Sequence, residues 1–329
     1  MKKLNYWQAI SEAFAEEMER DETVFIIGEN VQESPFMITK GLVDRFGPER
    51  VMDAPLSELA NAGAAVGAAC AGFRPVCDLT FADFIYCAGD EVLLKAAQQY
   101  FAHNGQVNAP CVFVGVAGGG FGTGPEHSHV PAAMILNNPG LKLVMPSTPY
   151  DAKGLMKAAI RDNNPVCYFF HKKLMGMTGE IPEEEYVIPL GQADIKRQGT
   201  DVTVVATLYM VHHALAAAET LKDEISVEVI DPRSLEPLDM ATILESVKKT
   251  NRVVIVDEDT ERCGVAAELG QQIMEQAFDY LDAPVTRVCA RNMPVAGAAM
   301  EKYTIPNADQ VVAAIRSVTY QKESIPAKN

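Results

Sequence analysis

The sequence predicts an α/β fold of two parallel-sheet domains, and three observations carry that prediction. Short β-branched runs alternate with helical patterns along the whole chain, the signature of parallel strands covered by helices. The 329 residues, 48% of them hydrophobic, suffice for a sizeable core, and a prior of roughly 150 residues per domain suggests about two units. The alternation lapses once, through the charged, proline-containing stretch from Gly179 to about Gly199, which reads as a linker. The expected organisation is a first domain at 1–185, a linker at 186–199 and a second domain at 200–329.

In the first domain the apolar runs predict strands at 24–28, 75–79, 111–115, 141–145 and 166–170, with helices at 7–18, 59–71, 83–101 and 150–162. Ser147-Thr-Pro149 introduces the last helix, with proline near the first turn, where its missing N–H costs nothing. In the second domain the strands fall at 202–206, 227–230, 253–257 and 285–288, and the helices at 211–221, 240–250, 264–277 and 307–318. The polar tail at 321–329 is expected to fray.

A net charge of −16 argues against nucleic acid or an anionic membrane as partner. It leaves room for a phosphorylated ligand, because backbone amides and a metal can supply the positive field. The first residues lack an apolar signal core, and the longest small or apolar stretch, 59–72, is too short and glycine-rich to span a bilayer. A soluble, cytoplasmic protein is expected. The seven cysteines are scattered and form no CxxC pair, so reduced thiols are expected in place of a disulfide framework or zinc site.

Asp53-Ala-Pro-Leu-Ser-Glu58, followed by the small and apolar run from Leu59 to Gly72, puts one carboxylate at the mouth of a helix with few polar side chains. A carboxylate shielded from water there must be paired, hydrogen-bonded or shifted in pKa, as catalytic acids often are. Gly63, Gly67 and Ala71 would let a second helix approach closely, setting Glu58 at a subunit or domain seam. The bland alternative is a first-turn acid favoured by the helix dipole.

Gly115-Val-Ala-Gly-Gly-Gly-Phe-Gly-Thr-Gly-Pro-Glu-His-Ser-His129 follows a strand but fails the GxGxxG pattern, and no GxxxxGK[ST] is present. What remains is a flexible loop delivering His127 and His129 to the carboxyl end of a strand, where open α/β sheets hold ligands. Whether these histidines carry protons or are satisfied by backbone stays open. Two histidines without a suitably spaced acid or thiol do not make a metal site. Asp83 is a plausible N-cap, and Phe81 and Phe84 either face a heterocycle or pack in the core. His103, His171, His212 and His213 lack any supporting constellation and read as structural.

The pieces together resemble the β subunit of the thiamine-diphosphate-dependent first component of 2-oxo acid dehydrogenase complexes, acetoin dehydrogenases included. The resemblance runs over nearly the whole chain. It rests on Gly28-Glu29, Lys40-Gly-Leu, Phe46-Gly-Pro-Glu-Arg-Val-Met-Asp-Ala-Pro-Leu-Ser-Glu58, Phe81-Ala-Asp-Phe-Ile, Glu126-His-Ser128, Pro146-Ser-Thr-Pro-Tyr-Asp-Ala-Lys-Gly-Leu155 and Ala159-Ile-Arg-Asp-Asn-Asn-Pro165. Val229-Ile-Asp-Pro-Arg-Ser-Leu-Glu-Pro-Leu-Asp239 and Gly264-Val-Ala-Ala-Glu268 continue it in the second half.

The resemblance implies a pyrimidine-binding domain followed by a transketolase-type C-terminal domain. It implies that Glu58 hydrogen-bonds the aminopyrimidine of thiamine diphosphate, that Phe84 stacks on that ring, and that Glu29 joins an acidic network between active sites. His127 would face substrate or the lipoyl group, and a potassium ion would sit on main-chain oxygens of Ala159, Asp162 and Asn164. The sequence has Gly89-Asp90-Glu91 and no Gly-Asp-Gly, so the resemblance assigns the Mg²⁺ and diphosphate ligands to a separate α subunit. The implied assembly is an α₂β₂ heterotetramer docked on a lipoyl acyltransferase core. This sequence departs from the family at Val114-Gly-Val-Ala-Gly118 and Gln32-Glu-Ser-Pro35, which bears on substrate more than on fold. A split transketolase and a scaffold that has lost catalysis are the rival readings.

Overall fold

The β-branched runs pair largely as the alternation predicts. In chain order the strands are β1 (Lys2–Asn5), β2 (Val24–Gly28), β3 (Val51–Asp53), β4 (Arg74–Phe81), β5 (Val112–Ala117), β6 (Lys142–Val144), β7 (Val166–His171), β8 (Thr178–Ile181), β9 (Asp194–Arg197), β10 (Val202–Ala206), β11 (Val227–Asp231), β12 (Ser234–Glu236), β13 (Val253–Thr260) and β14 (Thr286–Ala290). The α-helices are α1 (Tyr6–Arg20), α2 (Leu42–Phe46), α3 (Glu58–Cys70), α4 (Ala97–Ala102), α5 (Ala132–Leu136), α6 (Pro149–Arg161), α7 (Met210–Thr220), α8 (Met240–Thr250), α9 (Val265–Ala277) and α10 (Ala308–Val318). The computed structural model describes residues 1–320, so the expected fraying of 321–329 lies outside the described residues.

The chain forms two units, each of which takes a piece of sequence from within the other's stretch. Unit 1 comprises Met1–Gly118, Met134–Leu190 and Ser234–Pro237; unit 2 comprises Gly119–Ala133, Gly191–Arg233 and the chain from Leu238 onward.

Unit 1 is built on a seven-stranded sheet in the order β12-β6-β7-β5-β4-β2-β3. Its pairs are parallel except for β12, which runs antiparallel to β6 at the edge. Every residue of the central strands β5 and β7 is buried, as strands covered on both faces require. Proline begins α6, and the Thr148 side chain caps it by accepting the Asp151 N–H at 3.1 Å, in line with the start read from Ser147-Thr-Pro149.

Charge is buried where α1 meets α6. Lys153 and Lys157 donate to the two oxygens of Glu16 at 2.6 and 2.7 Å, and the Arg161 guanidinium grips the fully buried Glu17 at 2.7 and 2.9 Å. Burial works to raise the Glu16 pKa, but the hydrogen bonds from Lys153 and Lys157 outweigh it and hold that carboxyl below its ordinary value.

Unit 2 carries a five-stranded sheet, β14-β13-β10-β11-β9, parallel except for β9. Strand alternation sends its side chains into two separate cores. Val202, Val204, Val254 and Val256 pack with residues of α7 and α10. Val205, Val253 and Ile255 pack with Ile243 and Val247 of α8 and Leu269 and Ile273 of α9.

Three local expectations are revised. The helix expected at 83–101 is a 3₁₀ turn (Ala82–Tyr86), a π-helical segment (Asp90–Ala96) and then α4; π segments insert an extra residue per turn and concentrate at functional sites. Phe81, not Asp83, stands at the N-cap of the 3₁₀ turn, while Asp83 is buried in its first turn. The stretch read as a linker carries β8, which pairs with β1, and β9, which pairs with β11. Their short, polar sequences carry too little apolar alternation to announce a strand.

All seven cysteines are free thiols, with Cys77, Cys111 and Cys167 buried; burial pushes the thiol pKa of all three up. No helix of the described residues is long and apolar enough to cross a membrane.

Candidate active site

In unit 1 the carboxyl ends of β2, β4, β5 and β7 bring chemically distinctive residues together. Gly28 ends β2 opposite Asp78 of β4, and a Cβ at Gly28 would lie 2.5 Å from the Asp78 carbonyl oxygen. Glycine is required for that approach. Burial raises the Asp78 carboxyl to about 6, against the lowering effect of the Thr80 N–H it accepts at 2.8 Å. Thr80 itself adopts φ 65°, a strained conformation for a β-branched residue of the kind that concentrates at functional sites.

At the next pair of strand ends, Ala117 of β5 sits opposite His171 of β7. Gly118 has φ 77°, and a Cβ there would fall 2.0 Å from His171 Nε2. His171 is buried, and its Nδ1 accepts the Lys173 N–H at 3.1 Å. The buried Lys172 places its ammonium 5.5 Å from the Phe81 ring centroid. Phe81 in turn meets Phe36 and Phe84 edge to face at 5.2 and 5.6 Å. Phe84 is half-buried, so its ring is part of an aromatic cluster and remains accessible at one side. Sequence reasoning passed over Asp78 and Lys172 and read His171 as structural; the available signal was their place at strand ends, where open α/β sheets hold ligands.

Glu29 follows Gly28 directly and is half-buried. Glu58 is the first residue of α3 and also half-buried, with the helix N-terminus favouring its charge. α3 buries Asn61, Ala62, Ala65, Val66 and Ala69, and turns the opposite face outward. That outward face is apolar, with Leu59 46% exposed and Leu56, just before the helix, 68% exposed. The acid therefore stands beside an uncovered apolar surface of this chain. Gly63 packs against the π segment, where a Cβ would come within 3.2 Å of Glu91.

His127 lies in unit 2, on a 3₁₀ turn (Pro125–His127) within the segment Gly119–Ala133. The glycine-rich approach follows a backbone path that side chains rarely permit: φ is 117° at Gly120, 67° at Gly122 and 81° at Gly124. The expectation of a flexible loop is revised, because carboxylates of unit 2 fix it. Gly119 N–H donates to Glu258 Oε1 at 2.6 Å, Gly122 N–H to Glu301 Oε1 at 3.2 Å and Ala133 N–H to Asp259 Oδ2 at 3.3 Å. His127 is half-buried, and the charge of His129 acts on Asp259.

Beneath that loop, Asp257 is buried with Oδ1 accepting the Thr207 hydroxyl at 2.9 Å and Oδ2 lacking a hydrogen-bond partner. Burial, reinforced by the neighbouring Asp259, pushes its pKa up to about 7. A carboxyl raised in the folded state favours folding below its unfolded pKa of about 4 and loses that contribution as pH rises through the folded value. Asp257→Asn is therefore expected to be stabilising at pH 8, on the order of 1–3 kcal/mol for an unpaired buried charge, with little difference near pH 4. Urea denaturation at both pH values checks this; equal effects at both would remove the titration from the explanation.

Two of the three main-chain oxygens that the resemblance assigns to potassium, those of Ala159 and Asp162, accept hydrogen bonds. Arg74 Nη1 donates to the main-chain oxygens of Ile160 and Asp162 at 2.9 and 2.8 Å, and the Ala159 oxygen accepts the Asp162 N–H at 3.3 Å. The Asp162 side chain takes Lys142 on one oxygen and Asn164 on the other. Arg74 thus brings a fixed positive charge to the segment that the resemblance assigns to potassium.

The chain carries a transketolase-type pyrimidine-binding domain and a transketolase-type C-terminal domain. The transketolase pyrimidine-binding domain family matches residues 2–177 and the transketolase C-terminal domain family residues 191–311. The chain is 45% identical, over 97% of its length and 99% of the relative's, to 2-oxoisovalerate dehydrogenase subunit beta of Bacillus subtilis. It is 43% identical to the acetoin:2,6-dichlorophenolindophenol oxidoreductase subunit beta of Cupriavidus necator, over 96% of this chain and 97% of that one. The chain belongs to the family of E1 beta subunits of 2-oxo acid and acetoin dehydrogenase complexes. A split-gene transketolase structure matches with a TM-score of 0.79 at 23% identity, covering 97% of this chain and 99% of that one, a likeness of fold.

Proposed function

We propose that this chain is the β subunit of a thiamine-diphosphate-dependent dehydrogenase that decarboxylates a 2-oxo acid or cleaves acetoin and passes the acyl group to lipoamide. The observation that carries the reading is near-full-length similarity, above 40% identity, to beta subunits of exactly these two kinds of oxidoreductase. The likeness to a transketolase at 23% identity speaks for fold alone, so the dehydrogenase reading stands over the split-transketolase alternative.

Thiamine diphosphate supplies the carbanion chemistry when bound. The residues present fit its aminopyrimidine: Glu58 offers a half-buried carboxylate at a helix mouth, and Phe84 a half-buried ring. Glu58 would hydrogen-bond the ring and favour the tautomer competent for proton transfer, Phe84 would stack on it, and Glu29 would join the acidic network between sites. His127 faces the substrate or the lipoyl group. Mg²⁺ and the diphosphate belong to an α subunit with a Gly-Asp-Gly motif, in an α₂β₂ assembly on a lipoyl acyltransferase core. The exposed apolar face around Leu56 and Leu59 supports a subunit partner, and seven free thiols support a cytoplasmic location.

Co-production with such an α subunit, followed by a thiamine-diphosphate-dependent dye-reduction assay, tests the reading. Turnover of pyruvate, a branched-chain 2-oxo acid or acetoin is expected. Turnover of sugar phosphates alone, or of none of these, would overturn it.

A further inference from the structure

We propose that Glu258 is a positioning residue for His127, holding the backbone of the loop on which that histidine is carried. The inference rests on the reading of His127 given above and names what sets its place. The loop enters with Gly119, whose N–H donates to Glu258 Oε1 at 2.6 Å, a close contact just below the usual N–H···O range. Glu258 is 4% exposed and sits on β13, so its carboxylate is fixed by a buried strand.

Two neighbouring features make the anchor directional. A Cβ at Gly119 would lie 3.0 Å from Glu301 Oε1, so glycine is what lets the backbone pass beside that carboxylate. Gly122 is clasped from both sides: its N–H donates to Glu301, and its carbonyl accepts the Ala298 N–H at 2.9 Å. The far end is tied by Ala133 to Asp259. The segment between the first and last ties contains Pro125–His127, so the tie at Gly119 sets the entry of the loop, Gly122 its course and Ala133 its exit, and loss of the first loosens the path that leads to His127. Reacting groups displaced by about 1 Å lose on the order of 10²-fold in rate.

The test uses the chain reconstituted with its α subunit. Glu258→Ala is expected to lower kcat about 10–100-fold, and Glu258→Gln, which keeps an acceptor oxygen, to stay within about three-fold of wild type. In a His127→Ala background, Glu258→Ala is expected to cost less than about three-fold more, because the two act as one unit. Hydrogen exchange at the Gly119 amide is expected to quicken in Glu258→Ala. If Glu258→Ala does not fold, Glu258→Asp, which draws the carboxylate back from Gly119, enters the same cycle, with exchange again read at the Gly119 amide.

A wild-type rate in Glu258→Ala, losses that multiply with those of His127→Ala, or an unchanged Gly119 amide would overturn the proposal while the role of His127 stands. A wild-type rate in His127→Ala overturns that role, and the positioning proposal with it.

Discussion

Replacement of Glu58 by glutamine is expected to lower turnover of the reconstituted enzyme by about 10²–10⁴-fold, the range of a lost general acid–base step. The substitution keeps the length and planarity of the side chain and a carbonyl acceptor, so cofactor binding and folding should change little. What it removes is the ability to hold and return a proton. Glu58 is well suited to that exchange because it opens α3 beside an apolar surface, and a charge-assisted hydrogen bond of roughly 1.5–3 kcal/mol gains weight once a partner covers that surface and excludes water. Steady-state kcat, measured beside thiamine diphosphate affinity and melting temperature, separates the effects. An unchanged kcat would take Glu58 out of the mechanism; a loss confined to affinity would make it a binding residue only.

Glu17→Ala is expected to destabilise the fold by about 3–5 kcal/mol, the cost of removing one member of a buried ion cluster. Glu17 is fully buried, bonded to Arg161 through two oxygens and to Arg20 at 2.8 Å, with Lys157 at 4.0 Å. Alanine leaves those cations with fewer partners at the α1–α6 seam, and Glu16, already shared by Lys153 and Lys157, cannot replace it. Urea denaturation at fixed protein concentration reads the change. A loss below about 1 kcal/mol would mark the cluster as solvated, in the manner of surface pairs.

The parallel strands were legible because strands buried on both faces must be apolar throughout: 24–28 and 202–206 were read to the residue, as was the helix at 240–250. Short polar edge strands such as β9 carry no such signature, and a π segment such as Asp90–Ala96 has the same residue types as an α-helix, so propensity does not announce it. Among the candidate residues, Glu58 of unit 1 and His127 of unit 2 stand out because an acid before a small-residue helix and a histidine after a glycine run are unusual locally. Asp78 and His171 are unremarkable in sequence. Only the register that sets Gly28 against Asp78 and Gly118 beside His171 gives them a setting.

The strand β12 lies in sequence between segments of unit 2 yet pairs with β6 in the sheet of unit 1. A gene cut between the two halves would strip that border strand away and bare the hydrogen-bonding groups of Lys142–Val144, inviting edge-to-edge aggregation. Separating the halves is correspondingly expected to weaken the seven-stranded sheet at that edge.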